Sequence, residues 1–259
     1  MIKAVSLVTY KEWAAYRTHS LVSVFVGPAF LFVQFLIWNA VYKDNPDALS
    51  LMLRYYAVTT LTVYLTMDFA DWNLQMLIHT GKYLTFAMRP VHHRFFALSQ
   101  KTGHRFLGLI FEFIPVALIF ALVFNIDLRP ASIPLAAVSL GLCFLMNFYV
   151  NYIVGLTGFW LTRTNGLRSV VRLLIQVSSG SLLPLFMFPL AAQRLFMFLP
   201  FPYISYVPAM VYLGTFEFGG VSVSPNAAVA IQAAYVLAAA AASEFLYRLG
   251  NRAYTGVGI

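Results

Sequence analysis

The run IPLAAVSLGLCFLMNFYVNYIVGLTGFWL, residues 133–161, contains no Asp, Glu, Lys or Arg. It is longer than the roughly 20 apolar residues that cross the hydrocarbon core of a bilayer as an α-helix. A membrane β-barrel would instead show segments of about 10 residues with alternating polarity, and this run does not alternate. The run therefore predicts a transmembrane helix.

Comparable apolar runs occur along most of the chain. Only 10% of the residues are charged, compared with about a quarter in a typical soluble domain, and the mean hydropathy is +0.77. Because there is no internal repeat and no second soluble domain, the sequence predicts an all-α polytopic membrane protein with one transmembrane domain over residues 1–259. The six predicted spans are residues 21–42, 53–77, 106–124 and 133–161, a fifth that begins near Ser169 and is broken by Pro184 and Pro189, and 227–247.

Lysine and arginine are distributed unequally over the segments between these spans. If the N-terminus lies inside, the inner segments hold thirteen of the seventeen Lys and Arg residues and the outer segments hold four. Because cytoplasmic loops collect positive charge, both termini are predicted to be cytoplasmic. The same rule explains the net charge of +8 without a nucleic-acid partner. The single cysteine, Cys143, excludes an intrachain disulfide.

The first twenty residues precede the first span and are amphipathic. Trp13 and Tyr16 can contact lipid while Lys11 and Arg17 face the headgroups, which is typical of a helix that lies in the membrane interface. The alternative is a positively charged orientation signal with no further role. We expect an interfacial helix over residues 1–20.

The segment TGKYLTFAMRPVHHRFFALSQKTGHRF, residues 80–106, follows the second span. It carries five of the seventeen Lys and Arg residues and three of the five histidines. Apolar anchors such as Tyr83 and Phe86 are mixed with a basic face, so the segment can rest on a membrane and still contact a soluble partner. We predict a cytoplasmic segment over residues 79–105.

Residues 184–215 are strongly apolar but rich in proline, which removes a backbone donor and breaks or kinks a helix. Because exposed irregular backbone is not tolerated in lipid, we expect two short helices that dip into the outer leaflet and return as a re-entrant outer hairpin. A single kinked span is the alternative. The prolines are Pro184, Pro189, Pro200, Pro202 and Pro208.

Familiar catalytic signatures are absent from the sequence. No G-x-S-x-G, H-E-x-x-H or G-x4-G-K-[ST] motif occurs, which argues against the commonest serine hydrolases, zinc hydrolases and P-loop ATPases. The segment KYLTFAMRP fits one element of the type-2 phosphatidic-acid phosphatases, but their chemistry needs a later histidine and none follows His104. His92 and His93 are adjacent and point in different directions on a helix, so no metal site is predicted.

Carboxylates inside a membrane are costly, so they are candidates for function. Asp68, Asp71 and Glu112 lie in or near predicted spans, where they either carry ions or pair with basic residues of the adjacent loop. A stripe of small and polar residues on the fourth span is typical of helix packing, the alternative being a ligand site. The stripe consists of Asn147, Asn151 and Gly155.

Four segments, taken in order, resemble the permease subunit of a bacterial type-2 ABC exporter of the short six-span branch. They are KAVSLVTYKEWAAYRTHS, HTGKYLTFAMRPVHHRF, PLFMFPLAAQRLFMFLPFPYISYVPAMVYLG and the tail YRLGNRAYTGVGI. The resemblance covers nearly the whole chain. It implies a multi-pass transport subunit of the bacterial cytoplasmic (inner) membrane that has no catalytic site of its own.

In such exporters the cytoplasmic segment between spans two and three holds a coupling helix, which docks on an ATP-binding subunit. The resemblance implies two such subunits, which bind ATP and Mg²⁺, and a second permease chain, identical or homologous, that completes the path. It implies no cofactor on this chain, and membrane lipids as its surroundings. The implied coupling residues are Gly81, Lys82, Tyr83, Leu84, Arg89, Pro90, His92, His93 and Arg94.

The resemblance also implies a substrate path along spans one, two and five, with the outer hairpin controlling release. An ion-coupled secondary transporter or channel that uses the three carboxylates is a second hypothesis, although the internal repeat common in such proteins is missing. A membrane enzyme and a membrane anchor without transport are further hypotheses. The candidate polar residues of the path are Gln34, Asn39, Tyr64, Asp68, Asp71, Asn73, Glu112, Asn147 and Asn151.

Overall fold

The computed structural model of the chain describes residues 17–214 and 217–254. The predicted interfacial helix over residues 1–20 lies almost entirely outside the described residues. The described chain is mainly helical. Its helices are α1 (Arg17–Val41), α2 (Pro46–Thr66), α3 (Ala70–His79), α4 (Tyr83–Ala87), α5 (His93–Gly108), α6 (Ile114–Leu122), α7 (Ile133–Leu156), α8 (Asn165–Ser178), α9 (Leu190–Met197), α10 (Tyr206–Leu213) and α11 (Pro225–Ala253).

Two short strands are an addition to the all-α architecture that the sequence predicts. Strands β1 (Glu217–Phe218) and β2 (Val221–Ser222) form an antiparallel pair just before α11, with Glu217 opposite Ser222. Shorter helical turns complete the described chain. A π-helical turn joins α5 to α6 at Leu109–Phe113, and 3-10 turns occur at Thr157–Phe159, Leu185–Met187 and Phe201–Ile204.

Five helical stretches of the described chain are long and apolar enough to cross a membrane, which makes this a multi-pass membrane protein. The third of them begins at His93, so residues 93–105 of the predicted cytoplasmic segment belong to the same helical stretch as the predicted third span. The predicted fifth span is not among them, because α8 has only 14 residues. The five stretches are Val22–Val41, Pro46–His79, His93–Leu122, Ile133–Phe159 and Pro225–Ala253.

Capping residues explain where several of these helices begin. Asn45 precedes the proline that opens α2, and its side chain accepts a hydrogen bond from the Ala48 N–H at 3.1 Å. Ser224 precedes the proline that opens α11 and accepts from the Ala227 N–H at 3.3 Å. Side-chain oxygens at these positions satisfy the free N–H groups of a first turn. Proline is tolerated at the first helical position because the N–H that it lacks would have no helical partner there.

The second span is interrupted between α2 and α3, although Met67, Asp68 and Phe69 include neither proline nor glycine. The sequence did not predict this break. The Asp68 Oδ1 accepts a hydrogen bond from the Ala70 N–H at 3.0 Å. Such a local side-chain bond offers the backbone an alternative to the hydrogen bonds of a continuous helix. Helix α3 therefore begins as a separate helix at Ala70.

The buried apolar residues form two separate clusters, one on each side of this break. The larger cluster includes Tyr55, Tyr56 and Phe120, and we call it the outer core after the side on which the distribution of Lys and Arg predicts it to lie. The smaller includes Leu74 and Tyr83 and is called the inner core. Among the described helices, only α7 and α11 contribute side chains to both clusters.

Helix α8 and the irregular residues after it connect the inner core with the outer core. Near the start of α8, the Thr164 hydroxyl donates to Gln75 Oε1 of α3 at 2.8 Å. Beyond its end, the Tyr55 hydroxyl of α2 donates to the Gly180 carbonyl at 2.7 Å, and the Tyr56 hydroxyl donates to the Leu182 carbonyl at 3.1 Å. The irregular carbonyls are thus bonded to tyrosines, as irregular backbone within a membrane requires.

Candidate coupling segment and transmembrane path

Helix α4 is a single short turn of helix that shows one face outward. Gly81 precedes it with φ of +71°, a left-handed conformation that favours glycine. Tyr83 and Phe86 are buried at 0% and 6% exposure, whereas Leu84 and Met88 are exposed at 51% and 74%. Leu84 and Met88 therefore form an apolar surface that no described residue covers. The exposed charged residues beside this surface are Lys82 and Arg89.

Tyr83 attaches α4 to the last turns of α11. Its hydroxyl lies 3.1 Å from the Tyr247 hydroxyl and 3.0 Å from Asn251 Oδ1. Its ring packs edge-on against Phe159 and Tyr254, with centroids about 5 Å away. Burial raises the pKa of Tyr83, so the hydroxyl stays protonated as a donor.

The residues after Pro90 also turn toward α11. His92 caps α5, with Nδ1 accepting from the Arg94 N–H at 3.2 Å, and its Nε2 lies 3.2 Å from Glu244 Oε2. Arg94 Nη1 lies 3.4 Å from the same carboxylate oxygen and donates to the Ala240 carbonyl at 3.3 Å. Burial lowers the pKa of His92, which favours the neutral ring that this capping bond needs.

His93 is also turned inward, since it is 3% exposed and its Nδ1 lies 3.2 Å from the Tyr152 hydroxyl of α7. Of the nine coupling residues that the resemblance implies, the outward-facing ones are thus on α4 and its flanks. The last three, His92, His93 and Arg94, are contacts to the rest of the membrane domain.

A groove of about 740 Å³ lies beside α4. Its walls come from α3, α4 and α5, and Lys82 and Arg89 are its charged members. Asn73, one of the predicted path residues, lines this groove and not the cavity described below. The other residues lining the groove are Met76, Leu77, Thr80, Thr85, Phe86, Phe96 and Gln100.

A layer of charged side chains lies between the two cores, at the break in the second span. Lys101 of α5 places its Nζ 3.3 Å from Asp68 Oδ2, and the two side chains are 2% and 4% exposed. The same ammonium donates to the Phe144 carbonyl at 2.9 Å and lies over the Phe144 ring. A buried charge is tolerated when it is paired and hydrogen-bonded in this way.

The carbonyls that the break frees are also bonded. Arg105 Nη1 donates to the Tyr64 carbonyl at 2.9 Å, and the Asn147 amide of α7 donates to the Thr66 carbonyl. Each of these carbonyls would have an N–H partner four residues later in an unbroken helix. Asn147 therefore stabilises the broken backbone.

Glu112 completes the layer from the π-helical turn between α5 and α6. Its Oε2 lies 3.4 Å from Arg105 Nη1, and its Oε1 accepts a hydrogen bond from the Ser23 hydroxyl of α1 at 2.9 Å. Gly108 leaves room for this pair, because a Cβ there would lie 3.1 Å from Glu112 Oε2. The layer thus joins α1, α2, α5 and α7.

Asp71 and the predicted stripe on α7 lie near α3 and the break in the second span. Asp71 Oδ2 accepts from Arg168 Nε of α8 at 2.7 Å. Asn151 bonds the Asn147 carbonyl within α7 at 2.9 Å. Gly155 permits close contact with α3, since a Cβ there would lie 3.1 Å from the Ala70 carbonyl oxygen. The stripe therefore lies at a helix-packing interface.

A second cavity, of about 500 Å³, lies between α1, α2 and α8. Tyr64 lines it and links α1 to α2, since its hydroxyl accepts from the Gly27 N–H at 3.0 Å and donates to the Ser23 carbonyl. Thr60 also lines it, and its buried hydroxyl has no hydrogen-bond partner among the described residues. None of the described residues that line this cavity is ionisable at neutral pH.

Two other predicted path residues lie away from that cavity. Gln34 is 7% exposed, and its Oε1 accepts from Trp38 Nε1 of the same helix at 3.1 Å. Asn39 is exposed near the end of α1. Tyr64 is thus the predicted path residue that lines the cavity between α1, α2 and α8.

The proline-rich segment consists of two short helices of unequal burial. Helix α9 contains no buried residue, whereas α10 is almost entirely buried in the outer core. Pro184 and Pro189 precede a 3-10 turn and α9, and Pro200 precedes the next 3-10 turn. Pro202 lies in that turn, and Pro208 lies in the first turn of α10, where no N–H donor is required.

Lys101 and Arg105 are site residues that the sequence reasoning missed. They were counted among the cytoplasmic charges, because Lys and Arg are rare inside membranes. Their spacing of four places both on one face of a helix, and the unpaired carboxylates Asp68 and Glu112 in neighbouring spans were the signal that could have indicated them. Among the described residues, no group of three or more His, Cys, Asp or Glu side chains could hold a metal ion.

Comparison with known proteins gives one family. A family model described as "ABC-2 family transporter protein" matches residues 28–258 of the chain. No curated protein matches, and no solved structure matches. The matched residues include α4, the Lys, Arg, Asp and Glu side chains of the charged layer, and the proline-rich segment. The part of α1 before residue 28, which contributes to the cavity between α1, α2 and α8, lies outside the match.

Proposed function

Because the chain belongs to the ABC-2 transporter family and is an ABC-2-type permease, we propose that it is the membrane subunit of an ATP-driven exporter in a bacterial inner membrane. Two separate ATP-binding subunits hold ATP and Mg²⁺ and drive it, and a second permease chain, identical or homologous, completes the path. This chain contributes binding surfaces and movement, and the hydrolysis of ATP takes place on its partners.

The observation that carries this proposal is the surface of α4. A coupling element must be held firmly by the membrane domain and must present contacts to a soluble partner. Tyr83 and Phe86 are buried, while Leu84 and Met88 are exposed beside two cations. Exposed apolar side chains ringed by charge are typical of protein interfaces.

We place the basic end of the bundle, where α3, α7 and α11 end, in the cytoplasm. This end carries Lys82, Arg89, Arg163 and Arg252, as the positive-inside rule requires. In this arrangement α8 and the irregular residues 179–184 make a sixth crossing, from Gln75 near that end to Tyr55 in the outer core. The proline-rich segment then lies at the outer surface as the hairpin over the path.

The proposed substrate path runs along α1, α2 and α8, where the 500 Å³ cavity lies. Closure of the ATP-binding subunits would displace α4, and the two permease chains would move against each other to open this cavity outward. The ion-coupled alternative has less support. Asp68, Asp71 and Glu112 each lie within 3.4 Å of a Lys or Arg nitrogen, so these carboxylates already have counter-ions.

The test of this proposal is co-purification from the native membrane. We would tag the chain, extract it in mild detergent and quantify any ATP-binding-cassette subunit that accompanies it. The same measurement is repeated for a double variant on α4, Leu84→Glu with Arg89→Glu. A matched control, Leu249→Glu with Arg252→Glu, changes one exposed Leu and one exposed Arg on the last turns of α11.

We expect a stoichiometric ATPase with the wild-type chain and with the control. The α4 variant should retain less than about a tenth of it, because a buried interface charge of the wrong sign costs several kcal/mol and 1.4 kcal/mol is a factor of ten. The exporter assignment would be wrong if no ATPase accompanied an intact wild-type chain. The coupling role of α4 would be wrong if both double variants kept the partner equally.

A further inference from the structure

Helix α11 is attached to the coupling segment at one end. Tyr83 contacts Tyr247 and Asn251 of this helix, and Glu244 lies within 3.4 Å of both His92 and Arg94. The contacts therefore come from both sides of Pro90, so they hold α4 together with the start of α5. A displacement of α4 would therefore act directly on α11.

The other half of α11 is attached to the outer hairpin. The Gln232 amide, which is fully buried, donates to the Tyr203 carbonyl at 3.1 Å and accepts from the Ser139 hydroxyl of α7 at 2.7 Å. The Tyr235 hydroxyl donates to the Met197 carbonyl at 3.0 Å, and its ring stacks on Tyr203 at 4.2 Å. Polar contacts in apolar surroundings are strongly directional and fix the register of the packed elements.

Helix α11 is continuous between these two sets of contacts. Its 29 residues correspond to roughly 43 Å at 1.5 Å per residue, and its only proline opens the first turn. It packs more extensively against α7 than against any other described element, which stiffens it. The second span offers no such continuity. It leads into the coupling segment along the chain, but it is broken between Thr66 and Ala70.

We infer that α11 is the rigid element that transmits displacement of the coupling segment to the outer hairpin. Tyr83 and Glu244 are the positioning residues at the basic end, and Gln232 and Tyr235 are those at the outer end. This inference rests on the proposed function for its purpose, because a displacement of α4 is meaningful only if an ATP-binding partner produces it. The mechanical connection itself is a property of this chain alone.

The experiment therefore uses the full-length permease without partners, in detergent, and measures amide hydrogen exchange by mass spectrometry. The first variant combines Tyr83→Phe with Glu244→Gln, which removes the hydroxyl and the charge at the basic end. We expect amides of residues 195–204, which lie in the outer hairpin, to exchange about threefold faster or more than in the wild type. The expectation follows because contacts that share one rigid helix are energetically coupled.

The matched control is Arg248→Gln. Arg248 also pairs with Glu244, at 2.8 Å, but it is 72% exposed and this pair lies within α11. In this variant, amide exchange at residues 195–204 should equal that of the wild type. Unchanged exchange of the hairpin in the first variant would overturn the inference. So would a rise of equal size in every peptide, because that would show general destabilisation instead of transmission.

A reciprocal variant tests the same connection from the outer end. Tyr235→Phe removes the hydrogen bond to Met197 and should speed exchange of residues 84–89, whose N–H groups bond locally around α4. Coupling between two sites acts equally in both directions, so an unaffected α4 would also overturn the inference. Since no ATPase is present, a negative result here leaves the co-purification test untouched, and the reverse also holds.

Discussion

Lys101 shows how one residue decides the stability of the charged layer. The variant Lys101→Met should destabilise the chain by about 3 kcal/mol, because removal of one partner leaves Asp68 charged and buried without a counter-ion. The double variant Lys101→Met with Asp68→Asn should recover much of this loss. Thermal unfolding of the three proteins in detergent measures the effect. A single variant as stable as the wild type would show that this ion pair does not support the fold.

Two helical glycines give a second prediction at this scale. A Cβ at Gly250 of α11 would lie 2.3 Å from Phe159 Cδ2, whereas a Cβ at Gly141 of α7 would meet nothing within 4 Å. Gly250→Ala should therefore cost about 1 to 3 kcal/mol by overpacking. Gly141→Ala should be neutral or stabilising by up to about 1 kcal/mol, because alanine favours helix. Equal unfolding temperatures for the two variants would contradict the packing of α11 on Phe159.

At the scale of elements, the broken second span is the main difference between expectation and structure. Helix breaks are usually read from proline or glycine, and neither occurs at Met67–Phe69. The break depends on Arg105 and Asn147, which bond the freed carbonyls from other helices. Those partners lie about 40 and 80 residues away in sequence, so no local pattern could indicate them.

The element-scale prediction compares two asparagines of α7. Asn147→Leu should destabilise the chain by about 1 to 3 kcal/mol and speed exchange at residues 67–70, because the Thr66 carbonyl loses its donor. Asn151→Leu removes an equally sized amide whose bonds to described residues are within α7, so it should cost less than about 1 kcal/mol. Thermal unfolding and hydrogen exchange measure both. A larger loss of stability for Asn151→Leu would mean that the bond from Asn147 to the Thr66 carbonyl is not the stabilising contact.

At the scale of the whole molecule, the six-crossing arrangement can be tested by thiol labelling. In a Cys143→Ser background, single cysteines at Asp127, Lys82 and Arg252 are probed with a membrane-impermeant maleimide, since all three side chains are exposed. We expect Asp127→Cys to react in intact spheroplasts and the other two to react only after lysis. Reaction of Arg252→Cys in intact spheroplasts would mean that α8 does not complete a crossing and that the C-terminus lies outside.

The sequence by itself determined the class of the protein, five spans and the family. These depend on the lengths of apolar runs, the scarcity of charge and the order of four motifs, all of which are read along the chain. Only the tertiary structure decided where the second span breaks, which carboxylate pairs with which cation, and that His92 and Arg94 contact Glu244 of the last helix. The reason is physical. A buried charge is stable only beside its counter-charge, and that partner is set by which helices pack together, not by the neighbouring residues.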